Sequence, residues 1–411
     1  MRSQRGQGRY LGALAGPLML AGLLSGFSQA APAPAPVPAC QTWTAVPPLN
    51  PGTQDNELDS VNVLSGTDAW AVGVSHDSGP EQTLTEHWDG SSWSVVPSPD
   101  PGTGNNFLFA VRAASPADIW AVGSYEVTSG SSTVTKTLIL HGDGTSWSQM
   151  PSLSPGKAFN SLNAVRVVSA NDVWAVGSFS NGTGSRSLIL HWNGVAWKKV
   201  KSPNPAVVNN LSWVTSTSPT DVWAVGELSD ANNRTSRILR PGTHIAARAN
   251  PRTFIVHWNG TGWSQVPSPS PGVLDFLEGV GATSTSNAWA VGTTLAKGTV
   301  DQTLILHWNG TAWTRVMSPD PAGTGGDNDL SGVATTASNT AWAVGSFDDS
   351  NNNQQALLLR WDGTSWQQVQ IPTSGDRSGL SGVGASSSGN AWAVGSDVSG
   401  TAGQTLALHC S

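Results

Sequence analysis

Six of the eight histidines stand in one recurring phrase, typified by TLILHWNGTAW (Thr303 to Trp313). They are His87, His141, His191, His257, His307 and His409, and Arg360 fills the slot once. A histidine can serve as a general base or a metal ligand near neutral pH. Recurrence once per repeat assigns these instead to a hydrogen-bonding strut. The expected partners precede each AW or VW step: Asp68, Asp118, Asp172, Asp221, Asn287 and Asn390. The same acids and amides are equally suited to capping their own turns.

Residues that break the repeat are better candidates for chemistry, because a pocket needs a few well-placed groups rather than a periodic set. On the strands that precede the WAVG phrases these are Asp59, Arg112, Asn163, Arg166, Trp213 and Glu278, against a Gly/Ala/Ser habit in later copies, so a central pocket is expected there. An insertion makes the fourth copy exceptional. Trp223 and Trp258 are 35 residues apart, against 18 or 19 in most copies, and enclose Arg234, Arg237, Arg240, Arg248, Arg252 and His244. Arginines there suit the carboxylates or sulfates of an anionic polymer; a disordered surface loop is the competing reading. Asp327 and Asp329 in GGDNDL, with Asp348 and Asp349 in FDDSNNN, form a candidate Ca2+ site, the only cofactor suggested. The stretch lacks the Gly and terminal Glu of an EF-hand loop, and solvated acids are the alternative.

The elements that must position these residues are repeats. WAVG begins at Trp70, Trp120, Trp174, Trp223, Trp289, Trp342 and Trp392, at spacings of 50, 54, 49, 66, 53 and 50 residues. Such a period, without any 3.6-residue apolar rhythm, points to propeller blades rather than a helical solenoid. The fifth copy shows four strands. LEGVGATS is followed by a short polar turn, AWAVGTT, TLILHW, a tight Asn309-Gly310 turn and WTRVMS, and a Pro/Gly loop then leads onward. The expected fold is all-β, a seven-bladed β-propeller of four-stranded antiparallel blades. Nineteen of the 20 tryptophans fall on three repeat positions, which assigns them to packing between blades; Trp213 is the exception. A row of sugar-stacking platforms is the weaker reading.

The last copy stops at TLALHC, before its fourth strand, and CQTWTAVPPLNPG (Cys40 to Gly52) aligns with GSSWSVVPSPDPG (Gly90 to Gly102). The N-terminal strand is therefore expected to close the last blade. Cys410 stands in the slot of Trp308 and Cys40 in that of Gly310, two residues apart across a tight turn, within the roughly 4.4–6.8 Å Cα separation that a disulfide accepts. Two thiols without nearby ligands cannot complete a metal site.

Ahead of the repeats, residues 1–30 read as a secretory signal peptide, with Arg2, Arg5 and Arg9 before an apolar run and small residues at the cleavage point; a retained anchor is the alternative. Residues 31–39, APAPAPVPA, read as a Pro/Ala spacer, and 40–411 as one propeller domain. Losing the signal removes three arginines and no acids, taking the formal charge from −7 to −10. That balance argues against a nucleic-acid partner, and no further apolar run is long enough for a membrane span.

The strand–turn–tryptophan rhythm resembles kelch repeats and galactose-oxidase-type propellers, although WAVGS lacks the kelch glycine pair. WDGSSW (Trp88 to Trp93) is similar to the Asp-box of sialidase-type propellers, one residue short, and LHWNGTAW to the repeat of seven-bladed bacterial lectins. These resemblances span Cys40 to Ser411 and support the fold without transferring an active site. Tyr125 is the only tyrosine beyond the signal, so a copper radical oxidase or a sialidase lacks parts, and no HExxH or G-x-S-x-G pattern occurs.

Strand order puts the crossovers between blades and the second-to-third-strand loops on one face, the crossover face, and the short turns on the other. The expected function is a secreted, monomeric, non-catalytic module that binds a glycan or protein ligand through the crossover face. The alternative is an extracellular polysaccharide lyase or glycoside hydrolase with its site at the channel mouth; convergent carboxylates with perturbed pKa values would favour it.

Overall fold

Each repeat becomes a blade because its four apolar runs alternate and are separated by turn residues. The computed structural model describes residues 40, 42–230, 250–296, 300–373, 376–387, 389–400 and 402–410. The expected signal peptide and spacer lie outside these residues, as do Arg234, Arg237, Arg240, His244 and Arg248 of the insertion. Among the described residues, 28 strands form seven four-stranded antiparallel sheets. Blade five runs Leu274–Ser284, Asn287–Leu295, Asp301–Trp308 and Trp313–Val316. Blade seven takes Arg377–Ser387, Asn390–Ser399 and Ala402–Cys410 from the chain end and Thr44–Ala45 from its start. Thr44 pairs with His409 and Ala45 with Leu408, as the missing fourth strand required. Cys40 and Cys410 are disulfide-bonded, with Cα atoms 5.8 Å apart.

The tryptophans tie blade to blade. The WAVG indole of one blade meets the fourth-strand indole of the next edge to face: Trp70–Trp147, Trp120–Trp197, Trp174–Trp263, Trp223–Trp313, Trp289–Trp366, Trp342–Trp43 and Trp392–Trp93. Their centroids lie 4.9–5.5 Å apart at 78–89°. Each such pair contributes about 0.5–1.5 kcal/mol beyond its burial. Within six of the seven blades the WAVG ring is backed by the repeat histidine, at centroid distances of 4.1–4.4 Å. That histidine's Nε2 donates to the expected partner, at 2.6–3.1 Å, for Asp68, Asp118, Asp172, Asp221, Asn287 and Asn390. Blade six changes both members: Arg360 lies over Trp342, 5.6 Å from its centroid, and Thr340 stands where the acid would be.

The WAVG glycine has a steric cause. A Cβ at Gly73, Gly123, Gly177, Gly226, Gly292, Gly345 or Gly395 would sit 1.9–2.2 Å from a first-strand carbonyl oxygen, so no side chain fits. The reason for the close approach lies one residue further on. In every blade the first strand shifts register immediately after its buried leucine, as between Leu58 and Ser60 or Leu277 and Gly279. The seven bulged residues are Asp59, Phe109, Asn163, Ser212, Glu278, Ser331 and Ser381. Bulges of this kind bend a strand and re-aim a side chain.

Crossovers are pinned by buried amides, and in blade five by the Asp275 carboxyl, that the repeat pattern had not marked. Asn56 accepts from Gly52 N at 2.8 Å and donates to its carbonyl at 2.9 Å, and Asn106, Asn160, Asn209, Asp275 and Asn328 accept from the corresponding loop. The S-P-x-P phrase, replaced by Pro48-Leu49-Asn50-Pro51 near the chain start, adds a second staple: Asp320 accepts from Thr303 N at 2.7 Å, and Asn50 from Thr405 N at 2.7 Å across the chain termini. The crossover face is therefore a set of held loops on a rigid ring.

Candidate functional site: the axial channel

The first strand of each blade lies at the inner edge of its sheet and packs on the first strands of both neighbouring blades, so these seven strands line the axis. They run from the crossover face to the turn face, and position along the strand sets depth. Asp59, Asn163 and Glu278 all occupy the bulge layer, toward the crossover face. Arg112 and Arg166 stand three residues beyond that layer, toward the turn face, and Trp213 directly follows the blade-four bulge. The six expected residues thus line one channel but divide into an upper polar layer and a lower cationic one.

The channel is also lopsided. A Cβ at Gly382 would meet Asp59 O at 2.7 Å, and one at Gly279 would meet Gly332 Cα at 3.1 Å. The Gly/Ala/Ser habit of blades five to seven is therefore a close approach of backbones. Bulky side chains enter from blades one to four and, through Glu278, from blade five.

In the upper layer the carboxyls converge. Burial pushes Glu278 up to about 8, with Glu227 and Asp329 adding to the shift and a hydrogen bond from Ser212 opposing it. Glu227, reached across the sheet from Asn210, accepts from that amide at 2.8 Å and is itself raised by burial. Asp329 accepts from Ser346 Oγ at 2.7 Å. Asn163 donates to Leu211 O at 2.8 Å, bridging blades three and four. On the blade-two side the wall is apolar: Phe107 and Phe109 stack at 5.7 Å and 12° against Val74. Glu227, Ser212 and the phenylalanines were missed by sequence reasoning. Glu227 did carry a signal, since it replaces the small or apolar residue that follows WAVG elsewhere.

In the lower layer Arg166 donates from Nε to Ser216 Oγ at 2.9 Å and from Nη2 to Ser216 O at 3.0 Å. Arg112 Nη1 donates to Val111 O at 2.6 Å and reaches Ser60 Oγ and Val61 O at 3.4 Å. Its guanidinium lies 5.1 Å from the centroid of Trp213, two blades away, so the pair spans part of the axis.

The structure does not bring the four candidate calcium ligands to one point. Asp349 holds its own turn, accepting from Asn351 N and Asn353 N at 2.8 and 2.9 Å, while Asp329 faces Ser346. Asp327 and Asp348 are adjacent: Asp348 Oδ2 accepts from Asp327 N at 3.2 Å, and Asp327 Oδ1 from Asp301 N at 3.0 Å. Burial, with Asp327 second, raises Asp301 to about 6. Among the described residues no three acidic, histidine or cysteine side chains are grouped as a metal site needs. Of the insertion's cations, Arg252 is described and pairs with Asp230 at 2.7 Å, both largely exposed, a contact of small energetic weight. Arg237 and Arg240 lie outside the described residues.

No family model matches the chain, and no curated protein is similar to it in sequence. The fold is shared with solved propellers. A structure described as YCF48 bound to D1 peptide is 15% identical, with a TM-score of 0.53 over 92% of this chain and 100% of its own. An ulvan lyase of polysaccharide lyase family PL25, bound to -[GlcA(1-4)Rha3S]-, is 12% identical, with a TM-score of 0.53 over 89% and 94%. The GH74 xyloglucanase of Xanthomonas campestris is 12% identical, with a TM-score of 0.50 over 89% of this chain and 55% of its own. These define the class as a seven-bladed β-propeller, a fold used by binding proteins and by polysaccharide-cleaving enzymes alike. Among the described residues no helix is long and apolar enough to cross a membrane, and the disulfide is consistent with a non-cytoplasmic location.

Proposed function

We propose that the chain is a secreted, non-catalytic binding module that takes a glycan or protein ligand on its crossover face, with one group of the ligand entering the upper channel. The observation that carries this reading is Glu278. With its pKa raised to about 8 it is a neutral acid at pH 7, able to donate as well as accept, beside Ser212 and the carboxyls of Glu227 and Asp329. A mixed donor and acceptor layer of that kind suits sugar hydroxyls or peptide amides. The peptide-bound YCF48 propeller lends the binding reading a precedent in fold.

One observation favours a lyase or hydrolase instead: a neutral carboxylic acid next to other carboxyls is the arrangement of an acid/base pair. Against it, Glu278 stands on the inner strand of its blade, within the ring of first strands, rather than on a crossover loop. The repeat histidines are committed to their indoles and to turn acids or amides, and among the described residues no histidine lies on that layer. Glycan and peptide arrays, run beside an activity screen on acidic polysaccharides, separate the two. Binding that weakens in Glu278→Gln without product formation supports the module; product formed by the native chain and lost in that variant supports the enzyme.

A further inference from the structure

Arg112 and Arg166 stand beside each other in the lower channel without a counter-charge. Among the described residues neither guanidinium pairs with a carboxylate; every protein partner is a backbone carbonyl or a serine hydroxyl. Burial, with Arg166 as the charged group acting second, pushes Arg112 down to about 10. Burial alone lowers Arg166. Two like charges taken out of bulk water side by side are costly unless an anion completes the arrangement.

The two side chains are also held ready. Arg166 is fixed by two hydrogen bonds to Ser216, and Arg112 by three contacts through Nη1 and by the Trp213 ring at 5.1 Å. Bonded on one edge, they leave the other free: Nε and Nη2 of Arg112 and Nη1 of Arg166 have no protein partner among the described residues, and both side chains remain partly exposed. Planar guanidinium forks fixed in this way match the paired oxygens of an oxyanion. Among the described residues their hydrogen-bond partners are neutral hydroxyls and carbonyls, none of which offsets the charge.

We propose that the turn-face half of the channel is an oxyanion site, in which Arg112 and Arg166 together hold one carboxylate, sulfate or phosphate group against the wall formed by Trp213. This site lies below the Glu278 layer and does not depend on the reading given for the crossover face.

Calorimetric titration of the intact chain at pH 7 and low ionic strength with acetate, sulfate and phosphate separately tests it. The expected result is one saturable site for at least one of the three. Its affinity should fall at least about tenfold in Arg112→Met and in Arg166→Met, since each change removes charge-assisted bonds. Binding of acetate alone identifies a carboxylate; binding of sulfate or phosphate without acetate identifies a tetrahedral oxyanion. Arg112→Lys keeps the charge while removing the fork, and should lower affinity in a chain that still melts cooperatively. Absence of saturable binding to the native chain for all three anions overturns the proposal, and so does unchanged affinity in the Arg112→Met, Arg166→Met double variant.

Discussion

Trp43 stands edge-on to Trp342, with centroids 5.4 Å apart and planes at 84°. Trp313 makes the same contact with Trp223, at 5.5 Å and 83°, within an unbroken stretch of chain. A residue from the start of the polymer thus completes an interface built by its end, and it is as buried as its counterparts. Replacing Trp43 with Ala should therefore cost about 3–5 kcal/mol, the range for deleting a buried indole. Denaturant melts of Trp43→Ala and Trp313→Ala should agree to within about 1 kcal/mol. A nearly silent Trp43→Ala would mean that the terminal strand does not close the ring.

The seam between blades seven and one carries a chemical exception. In five of the seven seams an aliphatic pair faces across the blades, as Ile139 and Leu190 do; here the same two slots hold Ala407 and Glu86. Glu86 is fully buried, accepts from Leu49 N at 3.1 Å, and is raised by burial to about 7. A folded-state value above the ordinary 4.5 means that the seam is most stable in acid and weakens as pH rises from 4.5 through 7. Glu86→Leu should accordingly be close to neutral in stability at pH 4.5 and stabilising by roughly 2–3 kcal/mol at pH 8.5. Thermal melts across that range decide it; a gain that does not change with pH would show that Glu86 is not neutral in the fold.

Gly292→Ala should be severely destabilising, because its Cβ would lie 2.0 Å from Phe276 O and backbone rather than a flexible side chain must move. A loss above roughly 3 kcal/mol is expected from strain of this kind. Gly262→Ala, whose Cβ meets nothing within 4 Å, is the control and should change stability by less than about 1 kcal/mol. Equal effects at the two positions would remove the steric account of WAVG.

The ring was legible because its signals are periodic and chemically distinctive. Tryptophans marked the blade interfaces, His257 and Asp221 announced their own contact, and the half-phrase at Cys410 matched the one at Cys40. The channel was legible only in part. Asp59, Arg112 and Glu278 stood out as exceptions, but their division into layers depends on counting from a bulge that no turn residue marks. Asn56 and its equivalents were hidden for another reason: an amide two residues before a leucine looks like an ordinary strand polar residue until the carbonyl and N–H of Gly52 are seen to face it. Asp327 and Asp349 illustrate the converse, since nearness in sequence did not bring their carboxylates to one point.

The central claim is that the two ends of the chain form one blade, and peptide mapping of the unreduced protein tests it most directly. The account predicts a single cross-linked species joining the Cys40 and Cys410 peptides, collapsing to two on reduction, together with a loss of about 2–5 kcal/mol in Cys410→Ser. Two free thiols in protein isolated under oxidising conditions, with melting unchanged in that variant, would contradict it.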